Sequence, residues 1–361
     1  MGIDPDICAI PDLYDLVVCA SARSCSAESD EPHRSVTPVA RLYITPMLKT
    51  IMLYTAVILS CVAALNNAGA QTHRLETSRI APVVLARDQI NPAAIDVDET
   101  NVYWVSDSRS GISKVKKRGG TVTTIVSGQE NIRRMTVDKD MIYFLTDDEV
   151  RKVSTIGGKP TTLVAFSSIG GKNNYYYFAL DQKNVYFVND PPESGQQIMK
   201  MDKSGGKPAI LVPQVYAPSG VVSDGVSVYW IEYLNDIVQR VSIEGGPAVT
   251  IGECIDPMAI AVDSTSVYCS NKQGEIMRFA KTSGASSILA TVKDAGFDRL
   301  AVDEKTVYAL SVLKGIYRID KSGRPPVLLV PLNGASANLA IDASNIYWSN
   351  YNEGTVMRRS K

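Results

Sequence analysis

The residues of this chain that could do chemistry are the ones that break a pattern. Arg134, Tyr177, Arg299 and Asn338 each stand four positions before a recurring Asp, where other copies of the same stretch carry the small residues Ala94, Gly220 and Ala259. Asp96, two positions before its own Asp, is the only charge in its register, and it could pair with Arg134 of the following copy. Neighbouring segments add Arg133, Asn173, Asn174, Tyr175, Tyr176 and Asp298, and further acids at Asp107, Asp147, Asp148, Asp190, Glu232 and Asp236. Guanidiniums, carboxylates and a phenol in one place could hold a polar ligand, or carry lyase or hydrolase chemistry on carboxylate, Arg and Tyr groups. They could equally plug and solvate a channel. His33 and His73 are the only histidines and both precede the repeated part, so neither a His-based metal site nor a His general base is available within it. We therefore assign no catalytic residue, metal or cofactor, and the weight falls against an enzyme.

These residues are placed by a stretch written seven times: an Asp, three residues, an aliphatic residue, then Tyr. Copies begin at Asp98, Asp138, Asp181, Asp224, Asp263, Asp303 and Asp342, at spacings of 39 to 43 residues. The first copy displays one unit. A short strand ends at Asp98; Asp98–Asn101 turns, with the carboxylate accepting backbone N–H groups two residues on. Val102-Tyr103-Trp104-Val105 is β-branched and aromatic, a second strand. Ile112 to Lys116 alternates as a third, Gly119-Gly120 is a hairpin turn, and Thr121 to Val126 is a fourth. Four antiparallel strands per roughly 40 residues is a β-propeller blade. Pro160, Pro208, Pro247 and Pro326 open fourth strands, which suits the outermost edge, because proline cannot donate to a ladder. The last unit ends at Lys361 without a fourth strand, whereas Pro82-Val83-Val84-Leu85-Ala86-Arg87 is a fourth strand with no unit of its own. The expectation is an all-β, seven-bladed propeller over residues 81–361, closed by the N-terminal strand completing the last blade.

Within that frame the repeated Asp is read as turn chemistry. A second repeated position is basic, at Lys114, Lys152, Lys200, Arg240, Arg278, Arg318 and Arg358; each is expected to pair locally with a carboxylate, plausibly the repeat Asp. Trp104, Trp230 and Trp348 follow the repeat Tyr, a register held elsewhere by Phe144, Phe187, Cys269 and Ala309, so blade-to-blade packing is the better reading than carbohydrate stacking. Lys114-Val115-Lys116-Lys117-Arg118 reads as a solvated hairpin and is too isolated to argue for nucleic acid. Cys254 and Cys269 are the only cysteines inside the repeats; sequence sets no geometry for them, and the weight falls on two separate thiols.

Before the repeats the composition changes. Residues 1–46 hold seven acids and three bases and show no sustained period, so they read as a disordered or non-native upstream extension. Met47-Leu48-Lys49, the apolar run Ile51 to Leu65 and the small residues before Gln71 form the three parts of a signal peptide over 47–70. That run is short for a membrane span, which needs about 20 residues. A lipid-modified Cys61 is the weaker reading, since Leu59 fits such a cut poorly. Residues 71–80 are a linker. The net charge of −1 gives no global field toward nucleic acid.

Three further stretches carry a resemblance. Ala259-Ile260-Ala261-Val262-Asp263, Tyr347-Trp348-Ser349-Asn350 and Ile276-Met277-Arg278 are similar to the unit of the propeller domains of low-density lipoprotein receptors and of NHL-type propellers, and the likeness extends to bacterial envelope proteins with receptor-like propellers. It covers about residues 81–361. The sequence departs from that unit at Val105-Ser106, Ile231-Glu232 and Ser349-Asn350, and the receptor propellers have six blades. The resemblance spans binding modules as well as lyases and hydrolases; taken with the signal-peptide pattern, the leading expectation is an exported binding module, monomeric and without a membrane span in its mature form, whose partner is a protein, peptide or glycan of the envelope.

Overall fold

The computed structural model describes residues 81–172, 174, 177–332 and 336–361. The readings placed on residues 1–80, including the signal peptide and Cys61, and on Asn173, Tyr175 and Tyr176, lie outside the described residues.

Seven four-stranded antiparallel sheets follow one another around a ring. In blade 1 the strands are Ile95–Val97, Asn101–Ser106, Gly111–Lys116 and Thr123–Val126, in sheet order. Their boundaries follow the sequence pattern closely. The turn from first to second strand is closed by the Asp98 carboxylate, whose Oδ1 accepts the N–H groups of Thr100 and Asn101, both at 2.6 Å. Gly119 and Gly120 turn third strand into fourth at φ of 89° and 133°, where a Cβ would be strained.

The apolar core is divided among the seven blade junctions, because a twisted sheet of this size can bury its faces only against its neighbours. The alternation of the second strand sends the repeat Tyr toward the following blade and the next residue toward the preceding one. Thus Tyr103 packs with Ile142, Phe144 and Val153 of blade 2, and Trp104 with Tyr347 and Val356 of blade 7. All three tryptophans are buried in this way, as expected from their register.

Blade 7 combines the first and last strands of the propeller. Its inner strands are Ser336–Ile341, Asn345–Asn350 and Thr355–Ser360, and its outermost strand is Val83–Ala86. Val83 pairs with Arg358 and Val84 with Met357, and a bulge then brings Ala86 opposite Val356. Leu85 and Ala86 are buried.

Two expectations are corrected. Cys254 and Cys269 form a disulfide, with sulfurs 2.07 Å apart. Cys269 holds the register that faces the preceding blade, and Cys254 follows the last strand of that blade, Val249–Glu253, so the two meet at one junction. The Lys114–Arg118 hairpin is not simply solvated: Lys114 Nζ donates to the Thr155 carbonyl at 2.7 Å and Lys117 Nζ to Asp342 at 2.6 Å. No helix among the described residues is long and apolar enough to cross a membrane.

Candidate functional site

The first strands line the channel. At the register four before the repeat Asp adjacent blades crowd one another, and the steric limit is visible at Gly220. A Cβ built there would lie 2.7 Å from Cγ2 of Ile260 in the next blade. Small residues are therefore required where blades crowd, and a large residue must project its side chain into the channel.

Four large residues do so. Arg134, Tyr177, Arg299 and Asn338, from blades 2, 3, 6 and 7, line one cavity of about 310 Å³ together with Asp96 of blade 1. The Arg134 guanidinium lies over the Tyr177 ring, Cζ 5.0 Å from its centroid. Burial, then the charge of Arg299, bring the Arg134 guanidinium down to about 10, and burial lowers that of Arg299 as well. Two cations from distant blades thus feel each other across the channel. Arg299 donates through Nη1 to the Asp298 carbonyl at 2.6 Å. Its buried Nε, and the buried hydroxyl of Ser219 in the same wall, have no hydrogen-bond partner among the described residues.

Asp96 behaves differently from the expectation. Its Oδ1 accepts the N–H of Val97 and its Oδ2 that of Val137 in the next blade, each at 2.8 Å. It takes part in no ion pair among the described residues, Arg134 included. The carboxylate is bound to backbone because its short side chain reaches the strand edge of blade 2. Burial raises its pKa to about 6, against the lowering effect of those two N–H groups. Asn338 Oδ1 accepts the N–H of Leu339 at 2.9 Å, which fixes that side chain against its own strand. Ile95, Met135, Met258, Ile260, Leu300 and Leu339 supply apolar wall between the polar groups.

The additional acids divide into loop-fixing roles. Asp147 bonds Arg133 at 2.6 Å and Asn131 at 2.9 Å; Asp190 accepts from Asn174 at 2.9 Å; Glu232, fully buried, accepts from Trp230 Nε1 at 3.0 Å and Asn235 at 2.6 Å. Asp298 lies in the cavity wall, its Oδ2 accepting from Val312 N at 3.2 Å.

The repeat Asp residues form a second ring, at the opposite end of the first strands. Tyr hydroxyls donate to them, as Tyr103 does to Asp98 at 2.6 Å and Tyr347 to Asp342 at 2.7 Å. The expected cationic partners are not the ones found. Lys114, Lys152 and Lys200 instead donate to the carbonyls of Thr155, Lys203 and Ile243 in the next blade, at 2.6–2.7 Å, and Arg278 and Arg358 make the same kind of contact with Lys321 and Lys117. The carboxylates take a different set of lysines, each from the end of the third strand one blade further on. Lys117 pairs with Asp342, Lys203 with Asp138, Lys281 with Asp224, Lys321 with Asp263 and Lys361 with Asp303. Each of these ammoniums also lies over the repeat Tyr beneath it, 4.9 to 5.6 Å from the ring centroid. Thr155 and Ile243 fill that register in the other two copies, where Asp98 and Asp181 take amide donors from Asn101 and Asn184. The signal was present in the sequence as a Lys 18 to 22 residues after the blade's own Asp. It escapes a reading confined to one copy, since the carboxylate it serves belongs to the copy before. Ser219 escaped similarly: a lone Ser beside a Gly carries no sequence signal.

No group of three or more His, Cys, Asp or Glu able to hold a metal occurs among the described residues. No family model matches the chain, and no curated protein does. Solved structures do. The computationally designed Ika8 protein is 12% identical, with 77% of this chain and 98% of that one covered at a TM-score of 0.56. The extracellular domain of BT4673, a one-component-system candidate from B. thetaiotaomicron, is 12% identical over 78% of this chain and 40% of that one, at 0.57. BamB from Moraxella catarrhalis is 14% identical, with 74% and 84% covered, at 0.49. At such identities the likeness to the first two is one of fold alone.

Proposed function

We propose that the protein is an exported interaction module of the cell envelope, and that its ligand or partner, a protein, peptide or glycan, engages the channel mouth. The observation that carries this reading is the disagreement among equivalent positions. Of seven equivalent positions that packing would fill with small residues, four carry Arg134, Tyr177, Arg299 and Asn338, which with Asp96 reach a single cavity. Core packing gains nothing from two mutually repelling guanidiniums. A ligand gains from them.

Export is supported by the Met47–Ala70 pattern and by the Cys254–Cys269 disulfide, since such bonds persist in oxidising compartments. The similarity of the repeat to receptor-type and NHL-type units points the same way. The mature chain then begins at Gln71 after a signal peptide at 47–70, with 71–80 as a linker to the propeller at 81–361. N-terminal sequencing of exported protein tests that boundary.

The site is tested by retrieval from envelope extract with the wild-type propeller and with an Arg134→Gln, Arg299→Gln double variant of matched melting temperature. The expected result is a partner held by the wild type and lost by the variant. Retention by both would move the site away from the mouth. Release of an altered product during incubation would favour the lyase or hydrolase reading instead, with Asp96 as its proton-carrying group.

A further inference from the structure

We infer that the cavity between Arg134 and Arg299 is a receptor site for a small organic monocarboxylate, whose carboxylate lies between the two guanidiniums and whose carbon skeleton lies against the apolar wall. The inference rests on the channel mouth being the binding face, and it assigns the cavity there a small ligand beyond the protein, peptide or glycan partner.

Three observations select this class. Donors with unmet capacity converge on the cavity: Arg299 Nε and Ser219 Oγ are buried and have no hydrogen-bond partner among the described residues. A buried N–H or O–H without an acceptor costs about 1–3 kcal/mol, which an incoming oxyanion would remove. Guanidinium and carboxylate are matched in planar, forked geometry, so Arg is suited to this task where a point charge is not.

The charge in the cavity fixes the valence. Arg134 and Arg299 contribute two positive charges, and Asp298 one negative charge in the same wall. Asp96, with its carboxyl raised to about 6, adds most of a negative charge at neutral pH and loses it on taking up a proton. The remainder lies between zero and one positive charge, the latter with Asp96 protonated, so a monoanion is the largest charge the cavity balances. A phosphate dianion would meet the carboxylates of Asp96 and Asp298 without enough cation to balance them.

The lining fixes the rest of the ligand. Met135, Met258, Ile260, Leu300 and Leu339 cover the space between the polar groups. The volume of about 310 Å³ admits a small acid and no folded segment. Tyr177 is held by Arg134, so its ring contributes to the guanidinium's position more than to a stacking surface.

The test is titration calorimetry of the disulfide-bonded propeller with a panel of small probes. The panel contains hexanoate, benzoate, an N-acetyl amino acid and glucuronate, each beside its neutral amide, and inorganic phosphate. At least one carboxylate is expected to bind with Kd below about 1 mM, its amide at least ten-fold more weakly. Arg134→Gln and Arg299→Gln are each expected to weaken that acid ten-fold or more, while Lys159→Gln, at an exposed lysine outside the cavity lining, leaves it unchanged. If an amide binds as well as its acid and the arginine variants still weaken it, the site stands and the carboxylate assignment fails. If binding ignores both arginine variants, the site itself fails. No binding by any acid of the panel, or binding by phosphate alone, overturns the inference.

Discussion

Lys117 Nζ of blade 1 lies 2.6 Å from Asp342 Oδ2 of blade 7, and 5.6 Å from the centroid of Tyr347. The first and last blades are thus joined by an ion pair as well as by the shared sheet of Val83–Ala86 and Thr355–Ser360. The same Lys–Asp–Tyr arrangement recurs at four other junctions, so the ring closes with the device that holds its interior together. Burial by itself would raise the Asp342 carboxyl; the Lys117 ammonium, the Tyr347 hydroxyl and the N–H groups of Ser344 and Asn345 outweigh it and hold the carboxyl below its ordinary range.

Replacing Lys117 with Met should therefore cost more than a surface ion pair. Both partners are mostly shielded, and Asp342 would keep its charge with one donor fewer. We expect a loss of about 1–3 kcal/mol in chemical denaturation. Replacing Lys183, whose side chain is 78% exposed and whose ammonium is 3.9 Å from Asp202, with Met should change stability by less than about 0.5 kcal/mol. Equal effects from the two substitutions would show that junction lysines are ordinary surface charges.

Deleting residues 81–90 removes the outermost strand of blade 7, the buried Leu85 and Ala86, and the Gln89 N–H bond to the Gly354 carbonyl. The inner strand Thr355–Ser360 would then present an unpaired edge. The expected outcome is a melting temperature lower by more than about 10 °C, or a chain that fails to fold as a monomer. An unchanged melt would mean that the ring closes without this strand.

Much of this was legible in the sequence because a repeat averages out local ambiguity. Seven copies of Asp-x3-aliphatic-Tyr fixed strand order, turn placement and the burial of Trp104 between blades. The unpaired strand at Val83 and the unfinished blade at Lys361 identified each other by elimination. Contacts between copies were hidden. Lys117 serves Asp342 across 225 residues, and a side chain's choice between two equally repeated partners depends on the stagger of adjacent blades. Asp96 escaped for a related reason: a carboxylate beside an Arg register suggests an ion pair, yet the nearest donor was the Val137 backbone N–H. The large residues at Arg134, Tyr177 and Arg299 were readable as exceptions to a rule, and their convergence followed once the ring was closed.

The disulfide makes a separable prediction. Cys254 and Cys269 lie 15 residues apart in sequence and span the junction of blades 4 and 5. Closing a loop of that length removes unfolded-state freedom worth about 3 kcal/mol. A Cys254→Ala, Cys269→Ala double variant should lose about 1–3 kcal/mol, and reducing agent should lower the wild-type melt without affecting the variant. Alkylation of both thiols in the native protein under non-reducing conditions would refute the pairing.

Asp96 sets a pH dependence with the opposite sign from the repeat carboxylates. Its carboxyl titrates near 6 when folded and near 3.8 when unfolded, so the folded state binds the extra proton between those values. The resulting penalty is fully present above pH 6 and is relieved as pH falls toward 4; it amounts to up to about 3 kcal/mol. Asp263 and Asp342, whose carboxyls are lowered against the effect of burial, contribute stability that is present above about pH 4 and lost only as pH falls further. Asp96→Asn keeps one acceptor for the Val97 and Val137 N–H groups and removes the titration. Between pH 7 and pH 5 the wild type should gain stability relative to Asp96→Asn, and below pH 4 both should lose it in parallel. Melting curves at pH 7, 5 and 3 decide the matter: if the wild type and Asp96→Asn run parallel from pH 7 to 5, the carboxyl stays ionised over that range, and Asp96 contributes a full negative charge to the cavity.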